Sequence, residues 1–409
     1  NFFSGADDTI KIAVVGCGGR GTGAAMQALS SKQNVKIVAM ADAFKDNLDN
    51  CHKSLTDEIN NSIGELAKRL DVPEERRFTG FDGYQKAIAL ADVVILATPP
   101  GFRPIHFAEA IKQGKHVFME KPVATDPAGI QSVLATAAIA KEKKLNVVVG
   151  LQRHYQNSYR ELYKRKDMIG DITSAQAWWD NDGVWVRPRK YNQTEMEYQM
   201  RNWYYFNWLC GDHITEQHIH NLDVINWFKG GHPIKAQGFG GRQVRKGKDH
   251  GEIFDHHFVE FEYADGSILN SQCRHIPGTM SKVDELLIGT KGKIFCGAAH
   301  IKDHSGKIIY QYDTKLENNP YQSEHDELFA AIAKGEYKFA DAENGASSTM
   351  TSIMGRMATY SGQIIEWDKA INSGIDIHPK KYDWNAEPPV MPNADGYYPI
   401  AIPGVTKYF

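Results

Sequence analysis

The sequence predicts an α/β N-terminal domain built on a parallel sheet, followed by an α+β C-terminal domain with a large, mostly antiparallel open sheet. Three observations carry this. The first third alternates short β-branched runs with helical stretches, the pattern of βαβ units. A Gly-rich turn, "GCGGRG", follows the first of those runs. Beyond about residue 150, strand-like runs follow one another, joined by turn signals such as "ADGS" and "GTKGK", which suit antiparallel hairpins. At 409 residues the chain exceeds what one core usually organises. The expected divisions are 1–150 for the first domain, 151–374 for the second, whose late helices are free to pack back on the first, and 375–409 for a Pro-rich extended tail.

In order, "IKIAVVG" (Ile10–Gly16) reads as a buried strand and "GTGAAMQALSS" as the helix after the turn. "VKIVAMAD" (Val35–Asp42) is the second strand, and a polar helical stretch runs from about Asp46 to Leu70. Asp92–Pro100, His116–Pro122 and Asn146–Gln152 are further strands, separated by helices at Phe102–Gln113 and Pro127–Lys144. In such sheets ligands collect at the carboxyl ends of the strands. The second domain is expected to hold strands at Thr173–Asp180, Ile234–Gly240, His256–Tyr263, Ser267–His275, Val283–Gly289 and Lys293–Cys296. Tyr321–Asn372 returns to helix, and the tail from Ile375 lacks periodicity, as a segment draped over a surface would.

Composition narrows the function classes. Lys and Arg number 47 against 50 Asp and Glu, and no strongly basic patch stands out, so nucleic acid is not an expected partner. No apolar run reaches the ~20 residues that span a bilayer, so no membrane partner is expected. The five cysteines are scattered and never form CxxC, which argues against a disulfide framework or thiolate zinc. The chain opens at Asn1 without Met. A removed export signal or a cloning choice would both do that, leaving the location open between cytoplasm and periplasm.

"VVGCGGRG" supplies Gly16-x-Gly18-x-x-Gly21 after a strand and at the start of a helix. Gly16 allows the tight turn, Gly18 lets a pyrophosphate approach the backbone, Gly21 permits close helix–strand packing, and Gly19 and Arg20 complete the turn. With a second strand ending in Asp42, this is the dinucleotide-binding (Rossmann) order and spacing. Asp42 would accept hydrogen bonds from both ribose hydroxyls and repel a 2′-phosphate, so NAD is the expected cofactor. Lys45 nearby keeps NADP open.

"ATPPGFRPIHFAEAIKQGKHVFMEKPVATD" (Ala97–Asp126), with the Gly-rich turn and "GDHITEQHIHNLD", resembles the Gfo/Idh/MocA oxidoreductases, whose members include glucose–fructose oxidoreductase and inositol dehydrogenases. The resemblance covers essentially the whole chain. It implies cofactor contacts from Thr98, Pro99, His106, Glu120 and Lys121, with Lys121 reaching both nicotinamide ribose and substrate. An ammonium beside a sugar oxygen can lower the barrier to alkoxide formation. Arg153 falls where the family has a basic residue near the cofactor–substrate boundary, and Tyr155 follows it as a substrate contact. His220 takes the general-base position, Glu216 holds the sugar or orients the ring, and Asp223 matches the family's second Asp. The chain departs from the family twice: Glu216 replaces Asp, and His218 replaces Gly. The pocket is therefore reshaped, and no member's substrate can be borrowed.

Read alone, "CGDHITEQHIHNLDVINW" (Cys210–Trp227) suggests a metal. On a continuous helix Glu216, His220 and Asp223 stand at i, i+4 and i+7, with His213 one turn earlier, while His218 points elsewhere. "EQHIH" is not His-Glu-x-x-His, and although His256 and His257 lie on a later strand, no metal is expected.

Trp178, Trp179, Trp185, Trp203 and Trp208 mix with tyrosines and with Arg187, Arg189 and Arg201. Indoles stack on sugar faces, and aromatics with Arg also dominate interfaces; both readings stand, with Trp179 taken as a substrate contact. The expected function is NAD-dependent hydride transfer at a hydroxyl carbon of a sugar, polyol or glycoside. The rivals are an NAD-dependent glycosidase using transient oxidation and a non-catalytic sugar-binding protein. A homo-oligomer, dimer or tetramer, is expected through the C-terminal sheet.

Overall fold

The computed structural model describes residues 8–61 and 66–409, which fall into two compact units. The first comprises residues 8–123, 132–155 and 319–343. Its six-stranded parallel sheet has β1 (Ile10–Val15), β2 (Val35–Asp42), β3 (Arg77–Thr79), β4 (Val93–Leu96), β5 (His116–Met119) and β6 (Val147–Val149) in the order β3-β2-β1-β4-β5-β6. The strands are apolar on both faces because helices cover both: Ile12, Val14, Val93 and Ile95 are fully buried. The helices are α1 (Gly19–Leu29), α2 (Lys45–Asn61), α3 (Gly83–Ala89), α4 (Arg103–Lys112) and α5 (Pro127–Glu142). The last of these crosses into the second unit. The helical stretch expected to Leu70 ends as α2 at Asn61, and Leu66–Arg69 is a separate 3-10 turn; residues 62–65 lie outside the described residues. The late helix Pro320–Ala333 belongs to this unit, and its Leu328 and Phe329 share a core with Ile12 and Tyr155.

The second unit comprises residues 124–131, 156–318 and 344–409. It holds α6 (Asn157–Lys164), β7 (Ile172–Asn181), α7 (Glu195–Arg201), α8 (Asn207–Cys210), α9 (His213–Glu216) and α10 (Ile219–Lys229). Strands β8 (Lys235–Gly241), β9 (His256–Glu262), β10 (Ile268–His275), β11 (Lys282–Gly289), β12 (Gly292–Phe295), β13 (His300–Asp303), β14 (Ile308–Gln311) and β15 (Ile365–Glu366) follow. The nine-stranded sheet runs β14-β13-β12-β11-β7-β10-β9-β8-β15, antiparallel except for the β7–β10 pair. Strand alternation gives it two faces. Ala175, Ala177, His257, Val259, Leu269, Ser271, Cys273 and Glu285 are buried on the face that packs against α10, while His256, Phe258, Gln272 and Arg274 stay half-buried on the other. Strands β3, β13, β14 and β15 were not expected; each has four residues or fewer, too short for a periodic signal. Residues 375–409 form no helix or strand.

Candidate active site

In the first unit the Gly-rich turn closes at the carboxyl end of β1. Gly16 has φ +93°, and a Cβ there would lie 2.4 Å from the Thr98 backbone nitrogen. A Cβ on Gly21 would lie 1.8 Å from the Gly16 carbonyl oxygen, so α1 can approach β1 only through glycine. A Cβ on Gly18 or Gly19 would meet nothing within 4 Å. That open backbone at a helix N-terminus is where a pyrophosphate fits. Asp42 is fixed at the end of β2: its Oδ2 accepts from Cys17 N at 2.7 Å and its Oδ1 from Phe44 N at 2.8 Å. Burial raises its pKa. Lys45 pairs with Asp49 at 2.9 Å, so its charge is directed along its own helix. These residues fit a dinucleotide with a free ribose 2′-hydroxyl.

Arg103, 1% exposed, was missed in the sequence. Its Nε donates to the Glu120 carbonyl at 2.8 Å, one Nη to the Thr98 carbonyl at 2.8 Å and the other to Thr98 Oγ1 at 3.2 Å. One guanidinium thus ties together the ends of β4 and β5, which carry Thr98 and Glu120-Lys121. The only cue was an arginine at the first turn of a helix that begins just after "ATPP". His106 is buried with Nδ1 3.1 Å from Thr98 Oγ1 and its ring between Tyr84 and Phe102. Burial, then Arg103, drives its pKa down to about 3. The ring is neutral and packs against Thr98 Oγ1. Pro99 precedes the 3-10 turn Pro100–Phe102.

Glu120 is held by Arg20 at 2.5 Å. Its other oxygen packs on Gly150, where a Cβ would come within 2.5 Å. The carboxylate therefore anchors the segment that presents Lys121, which precedes a cis bond to Pro122. Arg20 also lies over the Tyr321 ring at 5.0 Å and has Glu324 at 4.0 Å. Glu324 is fully buried, and burial, then Glu120, pushes it well above the carboxylate range. Arg153 is half-buried in the turn Gln152–Tyr155. Tyr155 is 3% exposed and donates to Asp341 Oδ2 at 2.6 Å within the core.

In the second unit the expected continuous helix is two helices. Gly211 ends α8 at φ +80°, Asp212 starts α9 as its N-cap, and the chain breaks at Gln217 and His218 before α10. His213 and Glu216 therefore do not share a helical stripe with His220 and Asp223. Asp223 accepts from Ser348 Oγ at 2.7 Å and Asn344 Nδ2 at 3.0 Å, tying α10 to the helix Ala342–Ser361. His220 is 9% exposed and stacks on Trp179, with ring centroids 6.0 Å apart at 23°. Glu216 is half-buried at the end of α9. The structure thus brings Trp179 and His220, on β7 and α10, into one stack.

His218 is fully buried. Its Nδ1 donates to Asn221 Oδ1 at 3.1 Å, and its Nε2 accepts from Ser271 Oγ at 2.7 Å. Asn221 passes on to Glu285 Oε1 at 3.1 Å, and Tyr159 donates to Glu285 Oε2 at 2.8 Å. Burial lowers the His218 pKa to about 3. It is a neutral structural histidine.

Asp212, His213 and His257 bring ligand-type atoms together in the interior. Asp212 Oδ1 accepts from His213 Nδ1 at 2.8 Å and has His257 Nε2 at 3.2 Å, while Tyr360 donates to Oδ2 at 2.5 Å. The Arg245 guanidinium stands 3.5 Å from His213 Nδ1. A full positive charge so close in a low-dielectric interior opposes a divalent ion, and no metal is assigned. His256 turns to the other face of β9 and pairs with Asp255 at 2.7 Å.

Residues 10–151 match the model of the GFO_IDH_MocA family, an oxidoreductase family with an NAD-binding Rossmann fold. Over 359 residues the chain is 23% identical to an inositol 2-dehydrogenase of Cereibacter sphaeroides, covering 84% of this chain and 92% of the relative. It is 26% identical over 181 residues to the 2,7-anhydro-N-acetylneuraminate hydratase of Escherichia coli, covering 44% of each. The matched stretches span 43%, 61% and 44% of three of the curated relatives. A solved scyllo-inositol dehydrogenase from Lactobacillus casei, with bound NAD(H) and scyllo-inositol, superposes with a TM-score of 0.65 over 88% of this chain and 99% of that one at 21% identity.

Proposed function

We propose that this chain, whose residues 10–151 belong to the Gfo/Idh/MocA family of NAD-binding oxidoreductases, oxidises a secondary hydroxyl of a sugar, polyol or glycoside. The observation that supports this most is the anchoring of Lys121: Arg20 grips Glu120 and Arg103 ties the ends of β4 and β5, so the ammonium is presented from a rigid base. NAD, when bound on the Gly16–Gly21 turn with Asp42 at its ribose, supplies the hydride acceptor. The Lys121 ammonium donates to the substrate oxygen and stabilises charge that develops there. His220, its ring set by Trp179, takes the hydroxyl proton; Glu216 holds a neighbouring hydroxyl. Arg153 serves as the basic residue at the cofactor–substrate boundary. Names of relatives with inositols as substrates support the polyol class. Lys121→Met and His220→Asn should each lower turnover on a panel of inositols and glycosides by ~10²–10⁴-fold while NAD still binds. Full turnover in either variant would end this assignment.

A redox-neutral reaction through transient oxidation is the second reading, favoured by the relative named as a hydratase. Product formation without NADH accumulation would select it. The exposed face of the nine-stranded sheet carries Phe239, 67% exposed and stacked on Phe258 at 5.3 Å. Apolar exposure of that sort supports a homo-oligomer through this sheet, and light scattering gives its size.

A further inference from the structure

Beside Glu216 the second unit holds a stack of three rings that the proposed roles of Lys121 and His220 do not use. Tyr204 lies on His275, with centroids 6.1 Å apart at 27°, and His275 lies on His213 at 4.4 Å and 25°. All three side chains are at least 98% buried. Hydrogen bonds fix the tautomers. Arg245 can only donate, and its Nη2 is 2.6 Å from His275 Nδ1, so that nitrogen accepts and the ring's proton sits on Nε2. Asp212 Oδ1 accepts from His213 Nδ1, so that nitrogen carries the proton and Nε2 keeps a lone pair. Burial holds both rings neutral: it takes His213 down to about 4 and His275 further down.

Both Nδ1 atoms lie within 3.5 Å of one guanidinium. With both Nδ1 atoms on that guanidinium, each stacked ring keeps an Nε2 away from Arg245, an N–H donor on His275 and a lone pair on His213. Among the described residues neither Nε2 has a hydrogen-bond partner, nor has the Tyr204 hydroxyl or Thr215 Oγ1. Buried polar atoms left so are costly unless an oxygen joins them. Burial, then the Glu216 carboxylate, raises Tyr204 well above its ordinary value, so the phenol keeps its proton and can donate. Trp185, 38% exposed, meets Tyr204 edge-on at 6.1 Å.

We propose that His213, His275 and Tyr204 form a hydroxyl-recognition subsite, in which one hydroxyl of a polyol or sugar accepts from His275 Nε2–H and donates to His213 Nε2. This rests on the reading of the substrate as polyhydroxylated, and it makes the three residues determinants of specificity apart from hydride transfer.

Asparagine replaces the Nδ1 edge of histidine and removes Nε2. His213→Asn keeps a donor for Asp212, and His275→Asn keeps an acceptor for Arg245. The direct test is a crystal structure of the NAD-loaded full chain soaked in myo-inositol and, separately, in methyl β-D-glucopyranoside. A probe oxygen between the two Nε2 atoms is expected; a water there, or no density, overturns the proposal. On whichever probe is turned over, both Asn variants should raise KM about tenfold, the size of one lost hydrogen bond, with kcat changed less. Unchanged KM overturns it. Tyr204→Phe should unfold no lower than the parent, because its hydroxyl has no partner to lose, and should also raise KM. A lower melting temperature with unchanged KM would mark a structural water and overturn it. Failure of turnover on both probes bears on the oxidoreductase reading alone, since the soaked structures still report on the subsite.

Discussion

His218 Nε2 stands 2.7 Å from Ser271 Oγ, linking the break between α9 and α10 to strand β10. A buried imidazole that satisfies both nitrogens inside the protein supports the fold. Removing it leaves Ser271 and Asn221 without their partner. His218→Ala should therefore cost ~2–3 kcal/mol in urea unfolding and leave kcat within about threefold in the folded enzyme. A large loss of kcat with unchanged stability would instead place His218 in the chemistry.

That histidine also shows where sequence reading stopped. The first unit was legible because its signals are local: buried strands, glycines whose Cβ atoms would clash, and an acid ending β2. The second sheet was legible strand by strand for its longer members. The helix break was not, because α9 ends at Gln217, with φ −118°, before α10 begins after His218, and no glycine or proline marks that point in the sequence. Burial was invisible too. Nothing near Tyr155 or His106 in the sequence announces that packing sets one against Asp341 and the other against Thr98. Arg103 was overlooked because its three acceptors come from the ends of two strands that only the fold brings together.

Two glycines of the turn should separate folding from cofactor binding. Gly21→Ala places a Cβ 1.8 Å from a carbonyl oxygen that cannot move without shifting β1. It should lower stability by ~2 kcal/mol or more and abolish NAD binding. Gly18→Ala meets nothing within 4 Å, and its φ of −76° suits any residue. It should keep the parent melting temperature while raising the Kd for NAD about tenfold or more, by occupying the space of the pyrophosphate. Equal effects of the two on stability would contradict this division.

Arg103→Met keeps much of the side-chain volume and removes all three hydrogen bonds. The carbonyls of Thr98 and Glu120 then lose their buried donor, and stability should fall by ~2–4 kcal/mol. Lysine reaches at most part of that geometry, because a fork of donors is needed to hold two strand ends at once. Arg103→Lys should thus recover stability only partly. The Lys121 loop should loosen in both variants, read as faster backbone amide exchange at residues 120–122.

The tail is clasped by a charge whose sign sets its pH range. His378 Nδ1 lies 2.9 Å from buried Asp126 Oδ2 and 3.1 Å from Asp376 Oδ1, and its Nε2 is 3.4 Å from Thr125 Oγ1. The Thr125 hydroxyl donates to the Trp208 carbonyl, so its oxygen accepts, and both histidine nitrogens act as donors, as only the imidazolium allows. Burial alone would lower the His378 pKa, but the hydrogen bonds and charges of Asp126 and Asp376 together outweigh it and the net shift is upward. A raised folded-state pKa means stability that is fully present below the ordinary value of ~6.5 and is lost as pH rises through the folded value. For Asp126, burial raises the pKa, but His378 together with the Ile377 and Gly129 backbone N–H groups outweighs it, so the net shift is downward. Its contribution is present above the ordinary ~3.9 and is lost as pH falls through the depressed value. The clasp is therefore complete between about pH 4 and 6.5. In calorimetry, the melting-temperature gap between the parent and His378→Asn should be widest in that window and narrow steadily on the alkaline side. A gap that stays constant to high pH would mean that the neutral ring holds the tail and that the charge contributes nothing.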